Sequence, residues 1–149
     1  MDITTRPAQS EDREWLIELR ASTMNVHLHA SGIQVSNTEH EARVDQDFDQ
    51  IYIVSLNGNR VGMIKTIRTE QLWRLVQIQV QLSHQGLGIG TRLVTELLRE
   101  ADDAGIALEL NVLKVNPAQR LYQRLGFVTA ADQGAALTLR YTPGSVSSR

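Results

Sequence analysis

Hydrophobic and polar positions along this chain change period several times, and each change marks an element. Ile3 to Arg6 is expected to form a short first strand. Ser10 then stands as a helix N-cap, with Glu11 and Asp12 near the positive end of the helix dipole. Trp15, Leu16, Leu19 and Thr23 recur at helical spacing and predict one packed face. From Met24 to Asn37 the pattern dissolves, which predicts a loop or broken helix. Thr38 with Glu41 makes a capping box for a short helix toward Phe48. Ile51 to Leu56 and Val61 to Thr69 flank Asn57-Gly58-Asn59-Arg60, a hairpin signal. Leu72 to Leu82 forms a third strand, with Val76, Ile78, Val80 and Leu82 on one face and Gln77, Gln79 and Gln81 on the other. Trp73 and Leu75 fall on the opposite parity, which predicts a bulge near Leu75-Val76.

The second half is easier to divide. Thr91 to Ala104 is an amphipathic helix with Leu93, Val94, Leu97, Leu98 and Ala101 inward and Gly105 as its stop. Ile106 to Val115 is apolar and, lying between helices, is expected to be buried on both faces. Asn116 caps the next helix, Pro117 takes its first position, Gly126 ends it and Phe127 folds back on its last turn. Phe127 to Ala130 and Ala135 to Tyr141 complete the strands. The order β-α-α-β-β-β-α-β-α-β-β predicts an α/β domain with a mixed sheet. We expect one domain over residues 1–141, and residues 142–149 have the composition of a frayed tail.

Composition narrows the classes of function. A formal charge of −2 over 149 residues and a pI near 6.1 argue against a broad nucleic-acid-binding surface. The chain has no cysteine, hence no thiolate nucleophile or thiolate metal site, which fits a cytoplasmic protein. No apolar run reaches the ~20 residues a membrane helix needs, and the first residues lack a signal pattern.

The chemistry-bearing stretch is Val80 to Thr91, where a strand runs into Gly86, Gly88 and Gly90 and then into a helix. Glycine lets the backbone turn left-handed and approach a ligand, and a helix start offers unpaired N–H groups at the positive end of a dipole. The combination is a cradle for phosphate or pyrophosphate. It is not a Walker loop, because Gly90 is followed by Thr91 and Arg92 rather than Lys-Ser/Thr. Nor does G-x-G-x-x-G fit in either register: Thr91 and Leu93 stand where the third glycine belongs.

Gln85-Gly86-Leu87-Gly88-Ile89-Gly90 resembles the Gln/Arg-x-x-Gly-x-Gly/Ala loop of the GNAT acetyltransferase superfamily. The segment Leu113 to Phe127, with Asn116-Pro117-Ala118 and Leu121-Tyr122-Gln123-Arg124-Leu125-Gly126-Phe127, is similar to that superfamily's Asn-x-x-Ala/Arg…Leu-Tyr-x-x-Leu-Gly-Phe segment. The match covers Leu72 to Phe127, and before Ile51 it is only to a generic two-helix plan. The resemblance implies a mostly antiparallel, twisted sheet of about seven strands with splayed central strands, flanked by about four helices. It implies acetyl-coenzyme A as cosubstrate, its pyrophosphate held by backbone amides around Gln85, Gly86, Leu87, Gly88, Ile89, Gly90 and Thr91. A Cβ at Gly88 or Gly90 is then expected to obstruct that approach. Amides of Val80 or Leu82 are implied to bond the pantetheine arm, and that of Ile78 or Val80 to polarise the thioester carbonyl. Asn116 caps its helix and, by resemblance, also contacts the coenzyme. Tyr122 matches the tyrosine that protonates departing coenzyme A thiolate. Arg92, Arg120 and Arg124 are candidates for the ribose phosphate.

The base is where the chain departs from the family pattern. Trp73 to Leu82 holds no carboxylate where many members place a glutamate, and Gln77 and Gln79 cannot hold a proton at neutral pH. Glu109, His84, His27, His29, His40, Glu39 and Glu41 remain open, as does a water chain. His27 and His29 lack a third ligand at recognisable spacing, so no metal is expected. The implied activity is direct acetyl transfer to a primary amine, with selectivity in Met24 to Phe48 and in the hairpins at Asn57-Gly58 and Thr69-Leu72. The weakly acidic balance favours a small cationic amine acceptor. A coenzyme A-binding sensor without turnover, or acylation of a protein or aminoacyl-tRNA, is the alternative. Dimerisation is common among similar proteins, though no residue here fixes it.

Overall fold

The turn at Asn57-Gly58 is the simplest case of sequence dictating structure. Both residues take left-handed backbone angles, φ 51° and 88°, which a two-residue hairpin loop requires and which Asn and Gly tolerate. The structure, a computed structural model, describes residues 2–30, 32 and 35–144, with side chains of 26–30 outside the description. Its strands are β1 (Ile3–Pro7), β2 (Ile51–Leu56), β3 (Asn59–Arg68), β4 (Trp73–Val80), β5 (Leu108–Leu113), β6 (Val128–Asp132) and β7 (Ala136–Tyr141). Its α-helices, among the described residues, are α1 (Arg13–Ala30), α2 (Asn37–Asp45), α3 (Ile89–Ala104) and α4 (Ala118–Arg124). The seven strands form one mixed sheet in the order β1-β2-β3-β4-β5-β7-β6. None of the described helices is long and apolar enough to cross a membrane.

The chain divides into two units, Met1–Thr66 with Gln77–Gly90, and Ile67–Val76 with Thr91–Arg149. In the first, β1 and β2 pair antiparallel from Ile3↔Leu56 to Pro7↔Tyr52, and β2 pairs antiparallel with β3. Leu16, Ile17 and Leu19 of α1 pack with Val44 of α2 and with Ile51, Ile53 and Met63 of the strands. Gly62 on β3 has a specific reason: a Cβ there would lie 2.4 Å from the backbone oxygen of Gln79, so only glycine lets the two backbones come this close.

Several boundaries differ from the sequence pattern, each for a local reason. Helix α1 continues to Ala30, through positions where the pattern predicts a loop or broken helix; polar residues there do not by themselves stop a helix. Ser10 does not cap it. Residues Ser10–Asp12 form a 3-10 turn, and the Asp12 carboxylate accepts from the Gln9 N–H at 2.9 Å. Two capping-box patterns overlap before α2, Ser36-x-x-Glu39 and Thr38-x-x-Glu41, and Ser36 rather than Thr38 is the N-cap. The Ser36 hydroxyl oxygen accepts from the Glu39 N–H.

Asp12 is also an electrostatic anchor. Its buried carboxylate takes both ends of the Arg6 guanidinium at 2.8 and 3.0 Å and Arg60 at 3.0 Å. Hydrogen bonding to Arg6 holds it well below the usual carboxylate range. A depressed carboxyl stabilises the fold above its unfolded pKa, and that contribution is lost as pH falls through the folded value. Arg6 and Arg60 remain 42% and 39% exposed, so solvent screens the pairs. Asp12→Asn is expected to cost about 1–2 kcal/mol at neutral pH. Urea titration at successive pH values checks this: the gap to wild type should persist at neutral pH, begin to narrow below about pH 4 and shrink progressively as pH falls further toward the folded value.

In the second unit, β4 pairs parallel with β5 over Trp73↔Leu108 to Leu75↔Leu110, and β5 pairs antiparallel with β7 along its whole length. The inward residues of α3 are those expected, and left-handed Gly105 closes it, its N–H reaching the Ala101 carbonyl at 2.8 Å. Strand β5 is not buried on both faces. Leu108, Leu110 and Val112 are buried, whereas Asn111 is exposed and Glu109 and Leu113 are intermediate. The Tyr141 hydroxyl closes the unit on the Asp102 carboxylate at 2.9 Å. Of the expected tail, Thr142 to Gly144 are described and 145–149 lie outside the described residues.

Candidate active site

Strand β4 sets the frame, and its parity differs from the sequence pattern. Burial alternates without interruption along Trp73, Leu75, Gln77 and Gln79, with Arg74, Val76, Ile78 and Val80 on the other face. The predicted bulge is therefore a change of residue type: the inward face switches from apolar to glutamine. Gln77 and Gln79 are buried, and the Gln77 side-chain oxygen has no hydrogen-bond partner among the described residues. Ile78 and Val80 lie half-buried on the opposite face. The strand ends at Val80, so Leu82 belongs to a 3-10 turn, Leu82–His84, and is 58% exposed.

The turn leads into the glycine loop. Gln85 ties the loop to the strand, its side-chain amide donating to the Val80 carbonyl at 3.0 Å. Gly86 and Gly88 both have left-handed backbones, φ 80° and 84°. The N–H groups of Gly86, Leu87 and Gly88 have no acceptor among the described residues, and all three residues are exposed. Gly90 differs. It lies inside α3 with helical geometry, and a Cβ there would meet nothing within 4 Å. The first unit thus offers free donors beside a helix start, an arrangement suited to an anion. Thr91 stands exposed in the first turn of α3.

In the second unit Asn116 performs the capping role. Its side-chain oxygen accepts from the Ala118 N–H at 2.9 Å, although the regular helix starts one residue beyond Pro117. Gly126, at φ 108°, ends α4, and the Phe127 N–H returns to the Tyr122 carbonyl at 3.0 Å. This fold-back sets Phe127 edge-on to Tyr122 with ring centroids 5.6 Å apart. The Tyr122 ring is buried, and its hydroxyl has no hydrogen-bond partner among the described residues. Burial pushes its pKa up to about 12, so the phenol keeps its proton throughout the physiological range. Arg120 and Arg124 are exposed on the same helix.

The candidate bases separate by surroundings. Glu109 is engaged by Arg140 at 2.8 Å and Arg74 at 3.6 Å. His84 faces the Ser83 hydroxyl at 2.9 Å. Glu39 is exposed, and the side chains of His27 and His29 lie outside the described residues. His40 is buried, with its Nε2 at 2.8 Å from Asn25 Oδ1, and burial lowers its pKa. Trp73 is buried under the Arg68 guanidinium, 4.3 Å from the ring centroid. Among the described residues no group of three or more His, Asp or Glu could hold a metal ion.

The family model of the acetyltransferase (GNAT) domain matches residues 23–146, and the chain belongs to that family, whose members transfer acetyl groups using coenzyme A. No curated protein matches it in sequence. Solved structures extend the likeness of fold. The PaiA N-acetyltransferase from Thermoplasma acidophilum, in complex with coenzyme A, is similar over 95% of this chain and 99% of its own, with 19% identity and TM-score 0.72. The ribosomal-protein-S18-alanine N-acetyltransferase from Escherichia coli is similar over 95% and 94%, with 18% identity and TM-score 0.70. N-acetylglutamate synthase from Neisseria gonorrhoeae, complexed with coenzyme A and N-acetyl-glutamate, is similar over 95% of this chain and 35% of its own, with 18% identity and TM-score 0.70.

Proposed function

We propose that residues 1–141 act as one domain that moves an acetyl group from acetyl-coenzyme A directly to the primary amine of a small molecule. The observation that carries this reading is the pair of left-handed glycines, Gly86 and Gly88, with unpaired N–H groups at the start of α3. Those donors, with Gln85, Leu87, Ile89, Gly90 and Thr91, hold the pyrophosphate without a lysine. Backbone N–H groups of Ile78 or Val80 donate to the thioester oxygen as negative charge builds on it. Val80 or Leu82 bonds the pantetheine arm, and Asn116, already capping α4, contacts the same arm.

The amine nitrogen bonds to the carbonyl carbon, the carbon–sulfur bond breaks, and Tyr122 supplies a proton to the departing thiolate. Return of a proton through solvent restores the Tyr122 phenol, and the attacking neutral amine loses one proton, so the balance closes with the amide, free coenzyme A and unchanged enzyme. No carboxylate stands on β4 to take that proton, and Glu109 is committed to arginines, so a water chain or neutral His40 takes it. The absence of cysteine makes an acetyl-cysteine intermediate impossible and supports direct transfer.

The test is release of free thiol from acetyl-coenzyme A by purified protein over a panel of amines. Amine-dependent release supports the reading. Saturable coenzyme binding with no release from any amine would overturn it in favour of a coenzyme-binding module.

A further inference from the structure

Helix α1 carries a largely buried arginine that has no neutralising partner among the described residues. Arg20 is 8% exposed, and its Nε is fully enclosed without a hydrogen-bond partner. No ion pair to Arg20 occurs among the described residues. Burial and the neighbouring Arg43 charge lower its pKa to about 10, with no carboxylate raising it. Residues 26–34, the internal stretch with undescribed side chains, contain no Asp or Glu, so this stretch holds no hidden carboxylate.

The surroundings are cationic as well. Lys65 of β3 is 1% exposed and spends its ammonium on two backbone carbonyls of the α2 end, Arg43 at 2.8 Å and Gln46 at 2.5 Å. Asp45 and Asp47 act on Lys65, and Asp45 is itself paired with Arg13 at 2.7 Å. His40 of α2 is equally enclosed, with Nε2 against Asn25 and Nδ1 without a partner. Hydrogen bonds seat His40 against Asn25 of α1 and Lys65 of β3 against the end of α2, and the Arg20 charge acts on both, so the three groups share the region where α1, α2 and β3 meet. A buried cation of this kind is costly unless paired. A guanidinium presents a planar fork of donors that matches a carboxylate.

Resting on the acetyltransferase reading above, we propose that Arg20 receives a carboxylate of the acceptor, so that the substrate is an amino acid or another small amine carrying a carboxylate. His40 and Arg43 lie within Met24 to Phe48, where selectivity is expected, and Arg20 lies four residues before that stretch. The overall charge of −2 pointed toward a cationic amine, but net charge averages over the surface, whereas the uncompensated buried charge is positive.

Matched acceptors test this: L-amino acids against their carboxamides, with thiol release as readout, in wild type, Arg20→Gln and Arg20→Lys. We expect the carboxylates to exceed their amides by about 100-fold in kcat/KM, chiefly through KM. Arg20→Gln should shrink that ratio to within about 3-fold, and Arg20→Lys should retain part of it. The thermal shift caused by acetyl-coenzyme A should survive both changes. A second measurement needs no turnover: glutamate and inorganic phosphate are titrated by thermal shift into wild type and Arg20→Met. Glutamate should stabilise only wild type, and Arg20→Met alone should unfold at an equal or higher temperature, because an apolar side chain removes the unpaired charge. Failure of all amines to release thiol, with Arg20-dependent glutamate stabilisation intact, would sink the acetyltransferase reading and keep the anion site. Equal turnover of acids and amides, or stabilisation by phosphate but not glutamate, would overturn the carboxylate assignment.

Discussion

Tyr122→Phe is expected to lower the single-turnover rate of acetyl transfer by about 100-fold or more, with little change in stability or coenzyme binding. The expected separation follows from its surroundings. The ring is buried against Phe127, a contact that phenylalanine preserves, while the hydroxyl bonds to no described residue. Removing it therefore leaves no partner stranded. Burial holds the phenol near pKa 12, against about 8.5 for a reference thiol. Full proton transfer ahead of bond cleavage is uphill, so Tyr122 acts by donating a hydrogen bond as charge reaches sulfur, the proton following as the bond breaks. The same pKa makes a second prediction about the variant. Between pH 7 and 10 its pH–rate profile should be parallel to that of wild type, because Tyr122 does not titrate there. An unchanged single-turnover rate would remove Tyr122 from the acid role, and a lost coenzyme shift would make it a binding residue.

What the sequence made legible follows from what its patterns measure. Turn chemistry read directly: Asn57-Gly58, Gly105 and Gly126 all take the left-handed angles their positions require. Helix α3 read directly as well, because its inward stripe is uniformly apolar. The pattern failed where a polar residue stands on a buried face. Gln77 and Gln79 share parity with Trp73 and Leu75, Lys65 follows Val61 and Met63 at every second residue, and Arg20 lies four residues beyond Leu16. Each of these breaks the hydrophobic periodicity, and on β4 the break shifts the apparent inward face by one residue. Treated instead as parity violations, the same positions mark the buried polar groups that include Arg20. Helix α1 ran past its predicted end for a related reason: the polar residues after Thr23 removed the stripe without adding a stop signal.

The glycines of the loop are expected to separate by what the backbone demands. At saturating acetyl-coenzyme A, about 100 times Kd, wild type should gain about 2.7 kcal/mol, or roughly 5–10 °C in unfolding temperature. Gly88→Val is expected to abolish that gain. Gly88 holds φ 84°, where a β-branched side chain is strained, so the loop must change its backbone to accept valine. That change redirects the N–H groups on which the pyrophosphate depends. Gly90→Ala is the opposite case, because the position is helical and open. Alanine there should raise stability by about 1 kcal/mol, and the family pattern admits it at this position. The coenzyme shift should then be retained, which revises the expectation that any Cβ at Gly90 obstructs the ligand. A normal coenzyme shift in Gly88→Val would refute the cradle, since its donors cannot keep their directions through such a change. Loss of the shift in Gly90→Ala would instead put the coenzyme against the Gly90 Cα itself, closer to the helix than backbone donation from Gly86 to Gly88 requires.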